Sequence, residues 1–210
     1  MDIHPPEHPI RSVRDFLLQI FTITCGIVIA LTFESLLEAH RHAELRHSAA
    51  RDFAAELETN RQRVQQIVAD SARSQAALAA LIALGAARLA HQPTQPPKLN
   101  SQFSFTILGD NAWQNALTTQ ALAQFDFDTA HALAAAYDKQ AVFNDMEIKA
   151  RDQWISMAAF GADPAALNED EIRAALHTLR IAAAFQQVLQ PLAAQMLDSY
   201  AAAEAALRKH

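Results

Sequence analysis

The sequence predicts an all-α protein: an N-terminal transmembrane helix continuing into a long stalk helix, packed in an up-and-down bundle of about four helices. Three observations carry this expectation. The 210 residues include only four glycines, alanine is abundant, and β-branched residues thin out beyond about position 70, a composition that favours helix because alanine loses least on becoming helical and glycine most. The run from Phe16 to Phe33 holds no formal charge, and about 18 residues approach the length that crosses a hydrocarbon core. Beyond it, apolar residues recur with helical period along several long stretches.

Composition narrows the function classes. A net charge of -6 leaves no basic footprint to draw in nucleic acid by counterion release. The single cysteine, Cys25, lies inside the apolar run, which rules out an intrachain disulfide and gives no support to a thiol nucleophile or a cysteine metal site. The length of 210 residues suits one domain, or one domain with an appendage, and is ample for a buried core.

Residues 1–15 read as a short polar tail and 16–37 as the transmembrane helix, bounded by Arg14 and Asp15 before and by Glu34 and Glu38 after. A cleaved signal peptide would need a small-x-small site behind the apolar core, and Leu31-Thr-Phe-Glu-Ser-Leu-Leu37 offers none. A buried helix of a soluble protein would carry a polar face, yet Phe16, Leu18, Phe21, Ile23, Ile27, Val28, Ile29 and Leu31 cover nearly every direction. At about 100° per residue, Gln19, Thr22, Gly26 and Ala30 share one face with Glu34 one small step further round. Small residues four apart let helix backbones approach in lipid, so this face is the expected contact surface for a homo-oligomer or another membrane protein, with lipid as the remaining partner. Basic residues fall on both flanks, Arg11 and Arg14 before and Arg41, Arg46 and Arg51 after, so the positive-inside rule does not decide orientation. A short tail inside and the C-terminal part outside is the preferred arrangement.

No proline or glycine interrupts the chain between Gly26 and Gly85, so residues 38–90 read as a juxtamembrane and stalk helix. Phe53, Leu57, Val64, Ile67, Val68, Leu78, Ile82 and Leu89 form one stripe that fails at Arg46, which predicts packing only some turns beyond the lipid. His91-Gln-Pro-Thr-Gln-Pro-Pro-Lys98 opens a proline-rich loop and connector over 91–109 that cannot continue the helix; Phe103–Ile107 within it reads as either extended or helical. Residues 110–210 supply the remaining bundle helices. Asp110 reads as the N-cap of a helix carrying Trp113, Leu117 and Leu122, and Asp128 as the cap of the next. That next helix has one stripe through Ala130, Leu133, Ala134, Tyr137, Ala141, Ile148 and Ile155, a second through Phe143, Met146, Trp154 and Met157, and an end at Gly161-Ala-Asp-Pro164. Asn168 with Glu171 reads as a capping box opening the last helix, which Pro191 should kink and not end.

Two blocks carry a resemblance. Arg14-Asp-Phe-Leu-Leu-Gln-Ile-Phe-Thr-Ile-Thr-Cys-Gly-Ile-Val-Ile-Ala-Leu-Thr-Phe-Glu34 with Glu38-Ala-His-Arg-His-Ala-Glu44, and Asn111-Ala-Trp-Gln-Asn-Ala-Leu-Thr-Thr-Gln-Ala-Leu122 with Tyr137-Asp-Lys-Gln140, together resemble a family of uncharacterised bacterial single-pass membrane proteins with an N-terminal transmembrane helix and a Trp-containing helical domain. The resemblance implies a bacterial inner-membrane location and a membrane-anchored helical domain. It implies no catalytic residues.

Two groups could carry chemistry. His40, Glu44 and His47 line up on a helix at i, i+4 and i+7 and form a weak zinc-like set, against which stands a solvated interfacial stretch with local Glu-His pairs. Trp113, Tyr137, Gln140 and Trp154 line either a pocket between helices or simply the core. No phosphate loop, paired Glu-x-x-His helices or nucleophile elbow is present. The expectation is therefore a non-enzymatic, cofactor-free interaction or scaffold protein, with a small-molecule sensor bundle as the alternative.

Overall fold

Few helix breakers and much alanine give, among the described residues, four α-helices and no strand: α1 (Val13–Leu89), α2 (Asn111–Thr118), α3 (Phe127–Ala162) and α4 (Glu169–Leu207), with a 3-10 turn at Ala121–Gln124. The computed structural model describes residues 12–95, 107–162 and 167–209, without the side chains of 154 and 156–162. The chain divides into two compact units, Met1–Arg46 and His47–His210. In the first, the described residues are the opening part of α1, and every large apolar side chain from Val13 to Leu37 is exposed.

The second unit is an all-α bundle built on the rest of α1, α3 and α4. Burial begins at Ala49 and continues through Phe53, Leu57, Val64, Leu78, Leu81 and Leu84. Of the predicted stripe, Phe53, Leu57, Val64 and Leu78 are buried, Ile67, Ile82 and Leu89 are half-buried, and Val68 is exposed. Asn60 and Ser71, polar residues that an apolar count passes over, occupy the same buried line.

Cross-helix pairs fix the directions. Glu56 meets Tyr137 and Asn60 meets Gln140, so α3 runs the same way as α1. Arg61 pairs with Glu204, Ser71 with Gln190, and Gly85 lies against Leu176, so α4 runs opposite to both. Two parallel helices in a bundle need a long return connection: the chain leaves α1 after Leu89 and is back at the level of Asn60 by Gly109, before α2 begins. At the Leu89 end, Leu78 and Leu81 of α1 pack with Ile172, Leu176, Leu179 and Ala182 of α4, with Ile82 and Leu89 against the cluster.

The helix boundaries depart from expectation where caps compete. The Asp110 side chain makes no capping bond; the amide of Ala112 instead donates to the Glu56 carboxylate of α1, at 3.2 and 3.1 Å to its two oxygens. Helix α2 stops at Thr118, and Leu122 falls in the 3-10 turn, after Gln120 adopts a left-handed φ of 59°. Asp126, not Asp128, caps α3: its carboxylate accepts from the Thr129 amide and hydroxyl, each at 2.9 Å. On α3 the buried line is Leu133, Ala136, Tyr137, Gln140, Phe143, Glu147 and Ala150, whereas Ala141 and Ile155 of the predicted stripe are exposed. Polar residues stand in that line, which is why an apolar count drew it askew. The capping box of α4 is present, with Asn168 Oδ1 accepting from Asp170 and Glu171 amides at 3.0 Å and Glu171 accepting from the Asn168 amide at 2.8 Å. Three acids in the first turn of α4 complement its dipole, and the helix passes through Pro191 to Leu207. Most of Phe103–Ile107, and the Asp163-Pro164 end of the Gly161–Pro164 stop, lie outside the described residues.

Candidate functional site

In the first unit the opening of α1 exposes apolar side chains on all sides, and three of its hydroxyls bond to the helix itself. Thr22, Thr32 and Ser35 hydroxyls donate to the carbonyls of Leu18, Val28 and Leu31 at 2.9, 2.7 and 3.0 Å, the i−4 back-bond common to helical Ser and Thr. Gln19, Thr22, Gly26, Ala30 and Glu34 are all exposed, and a Cβ built on Gly26 would meet nothing within 4 Å. Further along, His40 lies 3.4 Å from Glu44 and His42 3.9 Å from Glu38, exposed i, i+4 pairs worth little each. Among the described residues no group of three or more His, Cys, Asp or Glu side chains is placed to hold a metal ion. His40, Glu44 and His47 form no such group.

In the second unit, three side-chain amides grip the backbone of the connector. Asn60 accepts from the Gly109 amide at 3.1 Å and donates to the Gly109 carbonyl at 2.7 Å and to Gln140 Oε1 at 3.0 Å. Gln140 Nε2 donates to the same carbonyl at 2.8 Å, and Tyr200 of α4 donates its hydroxyl to Gln140 Oε1. Asn144 accepts from the Leu108 amide and donates to the Leu108 carbonyl, both at 3.0 Å. A carboxamide offers both a donor and an acceptor, so it can pair both groups of one residue as a neighbouring strand would, on a helical surface that has no free backbone to offer.

Beside this grip lies the aromatic set. Trp113 stacks on Tyr137 at 5.3 Å between centroids, and Phe53 meets Trp113, Phe125 and Tyr137 at 6.5, 6.2 and 5.9 Å. Tyr137 donates to Glu56 at 2.7 Å. Burial, with the Glu56 carboxylate beside it, drives the Tyr137 phenol well above its ordinary range, and burial does the same for Tyr200, so both hydroxyls stay protonated donors. Of the four predicted residues, Trp113 and Tyr137 pack together, Gln140 is buried among amides, and the Trp154 side chain lies outside the described residues. Trp113 and Tyr137 serve as packing in this arrangement.

The chain was compared with protein families, curated proteins and solved structures. None matches it.

Open depressions among the described residues of the second unit include two beside α1. One, of about 540 Å³, runs between α1 and the start of α2 and includes Asp52, Glu56, Asn60, Arg63, Asn111 and Asn115. The other, of about 470 Å³, lies between α1 and the end of α4, with His47, Arg51, Glu58, Glu204, Leu207 and Arg208 along it. The sequence reading missed Glu56, Asn60, Asn144 and Tyr200. Only Asn60 left a signal, a polar residue at the very step where the Phe53-Leu57-Val64 stripe should continue.

Proposed function

We propose that the protein is a single-pass, membrane-anchored helical interaction protein, with self-association through the Gln19, Thr22, Gly26, Ala30 and Glu34 face and no catalytic role. One observation carries this reading: from Val13 to Leu37 the large apolar side chains are all exposed, and a helix of that length and apolarity would be insoluble with water on every side. The open surface over Gly26 supports close approach of a second helix there.

Extraction of membranes with alkaline carbonate tests the anchor: the full chain stays in the pellet, and a chain that is soluble and monodisperse without detergent overturns it. Cross-linking in membranes tests the contact face. Gly26→Ile removes the oligomer while Ile29→Leu on another face leaves it; equal cross-linking in both sinks the proposed surface. The reading further takes the membrane to be a bacterial inner membrane with the C-terminal unit on the periplasmic side. A C-terminal alkaline phosphatase fusion is then active and a C-terminal green fluorescent fusion dark, and the reverse pattern turns the topology round.

A further inference from the structure

The cleft between α1 and α2 is lined by charges of both signs, of which only Glu56 is bonded within the fold among the described residues. Glu56 is its fixed point, held by the Tyr137 hydroxyl at 2.7 Å and the Ala112 amide at 3.1 and 3.2 Å. An ionised carboxylate has about four acceptor positions, so those bonds orient it and leave acceptor capacity facing the cleft. Asp52 stands one turn earlier on the same face of α1, and Arg63 stands seven residues after Glu56, about 10 Å along the axis. Among the described residues neither Asp52 nor Arg63 has an ion-pair partner, and the side-chain amides of Asn111 and Asn115 have no hydrogen-bond partner. Nearby on α1, Glu58 pairs with Arg61 and Asp70 with Arg73.

We propose that this cleft binds a small zwitterion whose ammonium and carboxylate are several bonds apart, as in a dipeptide. The ammonium sits between Asp52 and Glu56, and the carboxylate on Arg63, which lines the same cleft. A guanidinium is the natural fork for a carboxylate. The amides of Asn111 and Asn115 line the middle and match the donor and acceptor of a peptide bond. A polyamine would meet Arg63, a dicarboxylate would meet Asp52 and Glu56, and an α-amino acid is too short to reach both ends. The volume, about 540 Å³, is that of an ordinary small-ligand site.

The experiment is calorimetric titration and thermal melting of the full chain in detergent micelles, with L-alanyl-L-alanine as the probe. N-acetyl-dialanine, dialanine amide and L-alanine form the comparison arms. Dialanine raises the melting temperature and binds at least tenfold more tightly than each blocked form and than alanine. In Arg63→Gln the preference for dialanine over its amide disappears, and in Asp52→Asn the preference over the acetylated form shrinks. Both positions are exposed, so both variants melt as the parent does in the absence of ligand. Absence of heat and of a melting shift with millimolar dialanine overturns the proposal, as does equal binding of the blocked forms. Unchanged preferences in both variants overturn the assignment of the two ends. Failure here leaves the membrane reading untouched, since no result depends on the anchor.

Discussion

Glu147 is the residue whose chemistry and surroundings disagree most. It lies in the buried line of α3, 6% exposed, and desolvation pushes its carboxyl up to about 7 from its ordinary 4.5. The folded chain thus holds a proton that the unfolded chain releases between those values. Stability attributable to Glu147 is greatest below pH 4.5, falls as pH rises to about 7, and is then flat. The full swing is about 3 kcal/mol. Glu147→Gln is therefore expected to stabilise the protein at pH 8 by about 1 to 3 kcal/mol and to flatten the denaturation midpoint between pH 5 and 7; a destabilised variant at pH 8 would show that the charge is compensated. Asn60 is the opposite case, a polar side chain with 0% exposure and both its nitrogen and its oxygen in use. Asn60→Ala strands the Gly109 amide and part of the demand of Gln140, and about 3 kcal/mol of stability should go with it. Hydrogen exchange at the Gly109 amide reads the same loss directly.

At the scale of elements, the long helices and the start of the short one at Asn111 were legible, and what holds the short one in place was not. Helix α1 ends where the prolines begin, α4 starts at the Asn168 and Glu171 box, and both signals are local, a few residues of sequence acting on their own backbone. Helix α2 is stabilised from outside: Glu56, more than fifty residues earlier, meets its N-terminal turn. No spacing rule within 110–118 could have pointed there. The buried line of α3 was misdrawn for the same reason, because Gln140 belongs to it through partners on α1 and α4. The capping box gives a contained test: Asn168→Ala should cost about 1 kcal/mol, read as a drop in melting temperature. The contact between α1 and α4 gives another. A Cβ on Gly85 would come within 2.8 Å of Leu176 Cδ2 and 3.0 Å of its Cγ, so the gain in helix propensity of about 1 kcal/mol meets overpacking of about 1 to 3 kcal/mol. Gly85→Ala alone should lower stability, and less so when Leu176→Val is already present; additive losses would mean that the two side chains do not compete.

For the whole molecule, the division at Arg46 and His47 separates a segment with every large apolar group exposed from a unit with its own buried core beginning at Ala49. A chain starting at His47 is accordingly expected to fold alone, with a single cooperative thermal transition by circular dichroism; a broad, non-cooperative loss of helicity would show that the first unit is needed. The grip on the connector also orders events in time. Leu108 and Gly109 are bound only by groups from α1 and α3 together, contacts that span 31 to 49 residues of sequence. Adjacent α3 and α4 can zip by a short closure, but this segment finds its partners only after two helices on either side of it have aligned. It is expected to be captured late in refolding, a latch that closes on an assembled frame.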